Sequence, residues 1–288
     1  MTSVKSIGLV RGSLSGTLRK LIISSRIPPG SGRLAASFSR ALMLRSKFGV
    51  SLMSGSKMVL DFRNKHEIWM YYGVFCPTLQ TLLDRTLRAG DLFIDCGANV
   101  GYFTFYAAGL VGNTGKVISI DANPACVARI KESKDAGHHD NVSVLEAAVG
   151  REKGTLSFSV ADDPMYSSIV DLDHLAGESF CSTQRSITVP VSPLDEIFQG
   201  AGRPRCRLLK VDIEGAEALA MDGARQCLSE AVFDWIYIEL HPKQLQLLNQ
   251  QVDDVHRILK QYKYEQVSGD STYVAVYRSP RVAGEHIA

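Results

Sequence analysis

The first 60 residues contain no Asp or Glu, against ten Lys or Arg; Asp61 is the first acid. The remainder, residues 61–288, therefore holds 30 acidic against 22 basic residues. An acidic body argues against a broad nucleic-acid face on it, because neutralising phosphates takes clustered Lys and Arg. The six cysteines form no C-x-x-C pair and show no Cys/His spacing, which argues against zinc. Several sit in apolar runs such as Leu92-Phe93-Ile94-Asp95-Cys96 and read as small buried hydrophobes in a reducing compartment. No apolar run approaches the roughly 18 residues of a membrane-spanning helix. The amino terminus lacks a compact apolar core followed by a cleavage site, so the expected location is cytoplasmic. No internal repeat is visible.

Residues 1–60 are rich in Ser and Arg and broken by Pro28-Pro29-Gly30. They read as an extension, partly disordered or helical, with a short amphipathic helix over 34–44. Three roles fit that composition: a loosely docked arm, an organelle transit peptide, or a basic helix making peripheral contact with a membrane or substrate. From Asp61 apolar strands alternate with helices, as in a parallel sheet joined by crossovers, so residues 61–288 read as one α/β domain. Expected strands are 92–95, 117–121, 142–146, 155–160, 186–191, 207–211 and 235–240, with a late antiparallel one over 272–278. Helices are expected from Glu214 to about Glu230 and from Gln244 to Tyr264.

The most informative stretch is Asp95-Cys96-Gly97-Ala98-Asn99-Val100-Gly101-Tyr102-Phe103, directly after a buried strand and opening a helix. Gly97 and Gly101 let the backbone turn sharply and a ligand approach where a Cβ would stand in the way. The spacing is D-x-G-x-x-x-G rather than the G-x-G-x-x-G of a dinucleotide site, and an acid at the strand end repels pyrophosphate while suiting an ammonium. Asp121 ends the second strand 20 residues after Gly101, where an acid accepts two ribose hydroxyls. An amino-acid moiety joined to a ribose describes S-adenosyl-L-methionine.

Asp95-x-Gly97-Ala98-Asn99-x-Gly101-Tyr102, taken with Lys210-Val211-Asp212-Ile213-Glu214-Gly215-Ala216-Glu217, resembles the FkbM family of class I S-adenosylmethionine-dependent methyltransferases over roughly residues 70–266. The resemblance implies a Rossmann-like α/β fold: a seven-stranded, mostly parallel sheet with one antiparallel strand and helices on both faces. It also implies O-methylation of a hydroxyl on a sugar, glycolipid headgroup, polyketide or other small acceptor. Position by position, Asp95, Gly97 and Gly101 match the cofactor's methionine end, and Asp121 its ribose contact, where the family more often has Glu. Glu146-Ala147 matches the adenine edge, and Asn99 and Asn123 are counted with the same cofactor set. Tyr166-Ser167-Ser168 resembles a stretch near the substrate mouth.

Asp212 falls at the end of the fourth strand, and Glu239 and His241 at the end of the fifth. These groups leave three readings open. Asp212 and Glu239, with His241, hold Mg²⁺ or another divalent ion; or Asp212 or His241 removes the acceptor's hydroxyl proton, with Lys210 beside them; or Lys210 and Glu239 form a structural ion pair while Glu217 sits on a solvated helix face. Glu214 is either a substrate residue or an acid favouring a helix dipole. Two other functions fit less of the pattern: an RNA or protein methyltransferase gripping through the basic arm, and a cofactor-binding module with a dead acceptor site.

Overall fold

Short apolar runs that end in a polar residue build the middle of the molecule. The computed structural model describes residues 47–161, 167–169, 183–202, 204–269 and 272–285. In chain order these form β1 (Lys47–Ser51), β2 (Lys57–Asp61), α1 (Lys65–Tyr72), α2 (Pro77–Thr86), β3 (Leu92–Cys96), α3 (Tyr102–Val111), β4 (Lys116–Asp121), α4 (Pro124–Gly137), β5 (Val142–Glu146), β6 (Ala148–Val149), β7 (Gly154–Ala161), β8 (Thr183–Ser192), α5 (Leu194–Gly200), β9 (Cys206–Val211), α6 (Glu217–Asp222), α7 (Arg225–Ser229), β10 (Phe233–Glu239), α8 (Pro242–Leu247), α9 (Val252–Gln261), β11 (Glu265–Ser268) and β12 (Val274–Arg278). The main sheet has seven strands in the order β11-β12-β10-β9-β3-β4-β5, and β12 runs antiparallel to both of its neighbours. The other pairings from β10 to β5 are parallel. This is the class I methyltransferase arrangement.

Successive strand residues point to opposite faces, and both faces are buried. Leu92, Ile94, Leu209, Val211, Ile236 and Ile238 pack with Met221 of α6 and Leu259 of α9. Phe93, Val117, Leu208, Trp235 and Tyr237 pack on the other side with Leu83 of α2 and Phe105 of α3. With each such side chain contributing about 1.5–3 kcal/mol by leaving water, the two layers fix the sheet and hold the ends of β3, β4, β9 and β10 along one edge. Strands β6, β7 and β8 form a separate three-stranded sheet.

Three expectations need correction. The folded body reaches back beyond Asp61: β1 and β2 form a hairpin docked on α4 by the Val59 N–H to Ser133 Oγ (3.1 Å) and by Lys47 to Glu132 (2.6 Å). Glu214 and Gly215 have φ of +51° and +105°, so helix begins only at Glu217, and it breaks at Gly223, where a Cβ would come 2.1 Å from the Gly150 carbonyl oxygen. The late helix also divides, at Asn249 with φ +56°. The amphipathic helix expected over 34–44, the transit-peptide and membrane-contact roles of the arm, and Tyr166 lie outside the described residues. Among the described residues no helix is long and apolar enough to cross a membrane.

Candidate active site

The turn after β3 is tied to its neighbours by backbone. Gly97 and Ala98 N–H groups donate to the Ile120 carbonyl at 2.9 and 3.0 Å, and Asp212 N–H donates to the Cys96 carbonyl at 3.1 Å. At Gly97 φ is +76°, and an added Cβ would lie 1.7 Å from the Asp212 carbonyl oxygen. Left-handed backbone alone costs a non-glycine residue roughly 1–2 kcal/mol, and here main chain must also move. Gly97→Ala is expected to lower Tm and to abolish cofactor binding together, as read by thermal denaturation with and without ligand. An unchanged Tm would contradict this packing.

Around that turn opens a cavity of about 420 Å³, a volume suited to a small-molecule ligand. Gly97, Asn99, Asp121, Ala147, Ser167, Lys210, Asp212, Glu214 and Glu239 all line it. Asp121 Oδ2 accepts the Asn99 N–H (2.7 Å) and Oδ1 the Asn123 N–H (2.8 Å), which aims the carboxylate while leaving lone pairs for a diol. Burial pushes this carboxyl up to about 6, against the lowering effect of the two backbone donors.

Other members of the expected cofactor and substrate sets do not line the cavity. Asn123 is buried; its side chain accepts the Ala125 N–H to cap α4 and donates to Ser167 Oγ at 3.3 Å. Glu146 is exposed at the end of β5, and Ala147 rather than Glu146 lines the cavity. Ser168 is fully buried, its hydroxyl donating to the Glu214 carbonyl, so it shapes the wall without facing an acceptor.

The expectation for Asp95 is corrected. Its side chain is fully buried; Oδ2 accepts the Thr104 hydroxyl at 2.7 Å and Oδ1 lies 3.1 Å from Lys210 Nζ. The ammonium it meets is therefore internal. Parallel pairing sets Asp95 directly beside Lys210, so Lys210 pairs with Asp95 and, at 3.3 Å, with Asp212, and not with Glu239. Lys210 Nζ also donates to the Gly97 carbonyl at 2.9 Å. Burial opposes its charge, but Asp95 and Asp212 outweigh that and raise its pKa. Lys210 thus ties the glycine turn to Asp212.

Glu217, which one of the three readings put on a solvated helix face, is fully buried. Its Oε1 accepts the Gly215 N–H at 2.9 Å and holds His241 Nδ1 at 2.8 Å. The other imidazole nitrogen lies 3.5 Å from Glu214 Oε2 and 3.9 Å from Asp212 Oδ1. Burial works against an imidazolium, yet the Glu217 hydrogen bond and the charges of Glu214, Glu217 and Asp212 carry His241 up to about 10. A charged imidazole has no lone pair for a proton, which disfavours His241 as the general base and favours Asp212. NMR titration should find imidazolium shifts at pH 8 in the wild type and, in Glu217→Gln, a midpoint at least a unit lower; neutral shifts at pH 8 in the wild type would contradict the assignment.

Burial pushes the Glu214 carboxyl up to about 8. The Asp212 charge, followed by burial, pushes Glu239 up to about 7. As for a metal, Asp212, Glu214 and His241, rather than Asp212 and Glu239, bring one donor atom each within 4.8 Å of one another. In that trio His241 Nε2 lies 3.5 Å from Glu214 and 3.9 Å from Asp212, so the imidazole reaches both carboxyls.

The chain is 24% identical over 194 residues to the hexuronic acid methyltransferase AglP of Haloferax volcanii, covering 67% of this chain and 74% of that one. It is 39% identical over 74 residues to protein-L-isoaspartate O-methyltransferase 2 of Archaeoglobus fulgidus, covering 25% and 33%. Among solved structures, methyltransferase FkbM of Methylobacillus flagellatus aligns with a TM-score of 0.41 and 16% identity over 75% of this chain, which spans 55% of that one. The Methyltransferase FkbM domain matches residues 95–265, more than half of the chain, and the protein belongs to that family of S-adenosylmethionine-dependent methyltransferases.

Proposed function

We propose that the protein O-methylates a hydroxyl of a sugar or similar polyhydroxylated small acceptor. The observation that carries this reading is one cavity with Asp121 on one side and, on the other, an Asp212 carboxylate fixed between Lys210 and His241. Similarity to a hexuronic acid methyltransferase supports the acceptor class. When bound, S-adenosylmethionine supplies an electrophilic methyl on a sulfonium that leaves as a neutral thioether.

The cavity residues fit that ligand. Asp121 accepts the ribose hydroxyls, the turn at Gly97 admits a close backbone approach, and Ala147 and Val149 offer small apolar surface to adenine. Chemistry at the acceptor needs an in-line oxygen in a water-poor pocket and a place for its proton. Asp212 is that place: it takes the hydroxyl proton as oxygen bonds to the methyl carbon and the carbon–sulfur pair stays with sulfur. Glu239, on the adjoining strand and close to half-ionised at neutral pH, is the neighbouring carboxyl to which the proton can pass.

Asp121 sets a pH dependence. Its folded-state pKa is raised, so it is protonated below about pH 6 and charged above. Ribose hydroxyls donate best to the charged form, and calorimetric Kd for S-adenosylmethionine is expected to weaken roughly tenfold from pH 7 to pH 5. A flat profile would remove Asp121 from the contact. To test the acceptor class, the protein is incubated with methyl-tritiated cofactor and fractionated cell extract. Label in saccharides or glycolipids supports the reading; label confined to protein or RNA contradicts it.

A further inference from the structure

Resting on the sugar-acceptor reading above, we infer that the ring methylated is neutral or cationic and is not a uronic acid. Asp212, Glu214 and Glu239 line the inner wall, and Asp95 and Glu217 lie fully buried immediately behind it. Two cations face these five carboxyls, and both are committed. Lys210 lies between Asp95 and Asp212 at 3.1 and 3.3 Å. His241 lies between Glu217 and Glu214 at 2.8 and 3.5 Å. A bound sulfonium adds one positive charge but no hydrogen-bond donor, so this wall offers a ligand's carboxylate no uncommitted cation.

Recognising a carboxylate takes a free guanidinium or ammonium, and like charges set together without one discriminate strongly against a ligand. Among the described residues the charged side chains lining the cavity are Asp121, Asp212, Glu214, Glu239 and the committed Lys210, and His66 is the imidazole in that lining. His66 stands edge-on to Trp69 at 5.0 Å, and Trp69 and Phe75 give this side flat apolar faces suited to a pyranose ring. The connection from β7 to β8 reaches the cavity through Ser167 and Ile169, which add no charge to it. The Haloferax relative is named for a hexuronic acid; this wall selects against that charge.

The test offers the full-length protein tritiated S-adenosylmethionine with p-nitrophenyl β-D-glucopyranoside and its glucuronide as a matched pair, and separately with cell saccharides hydrolysed to monosaccharides after labelling. Label in neutral or amino sugars, with kcat/KM for the glucuronide at least about tenfold below the glucoside, is the expected result. At pH 9, where the Glu214 carboxyl is charged, Glu214→Gln removes one wall charge and should narrow that ratio several-fold. Label on uronic acids, a glucuronide used as well as the glucoside, or a ratio unmoved by Glu214→Gln overturns the charge selection while leaving sugar methylation intact. Label found only outside saccharides overturns both.

Discussion

Asp212→Asn is expected to bind S-adenosylmethionine as the wild type does and to lose about 10²- to 10⁴-fold in turnover, the usual contribution of a positioned general base. The substitution keeps the shape of the side chain and removes its affinity for a proton. It spares the fold, because Lys210 retains its 3.1 Å partner Asp95 and its bond to the Gly97 carbonyl. It spares the cofactor, because Asp121 and its two backbone donors are untouched. Single-turnover kinetics with bound cofactor separates the two effects. Full activity in this variant would place proton removal elsewhere, with Glu239 the next group to test. Because Asp212 is the main cause of the raised Glu239 pKa, any residual activity should show its acidic limb moved to lower pH.

The second large effect is on stability. Lys210→Met leaves Asp95, fully buried, facing an apolar side chain, with Thr104 as the remaining donor to its carboxylate. Removing one partner of a buried ion pair costs about 3–5 kcal/mol, a fall in Tm of roughly 6–20 °C for a domain of this size. The double variant Asp95→Asn/Lys210→Met no longer carries that buried charge and should recover part of the loss. Thermal and denaturant unfolding of the four proteins in this cycle reads the coupling. Additive losses would mean that the pair is not the source of the cost.

Much of this was legible in the residues. The turn at Gly97 and Gly101, the acid closing β4 and the apolar runs of β3, β4, β9 and β10 are local features, and local features set strands and turns. The partners of the charged groups are not local. Asp95 and Lys210 are 115 positions apart and meet because β3 and β9 are neighbours in the sheet. A signal was present even so: a Lys inside Leu208-Leu209-Lys210-Val211 and an Asp inside Phe93-Ile94-Asp95 are opposite charges on buried strands, and such charges must find each other. One reading put Glu217 on a solvated face because a helix was expected to run through it from Glu214. Left-handed backbone at Glu214 and Gly215 instead starts that helix at Glu217 and turns its first side chain inward to His241. The hairpin of β1 and β2 was hidden by composition. It lacks acids until Asp61, and its order comes from packing on α1 and α4 more than from its own sequence.

The central claim is that Asp121 holds the cofactor and Asp212 serves the acceptor. Calorimetric titration of S-adenosylmethionine into the wild type, Asp121→Asn and Asp212→Asn addresses it directly. One-site binding is expected, weakened at least about tenfold in Asp121→Asn and unchanged in Asp212→Asn. Equal binding by Asp121→Asn, or loss of binding in Asp212→Asn with its fold intact, would contradict it.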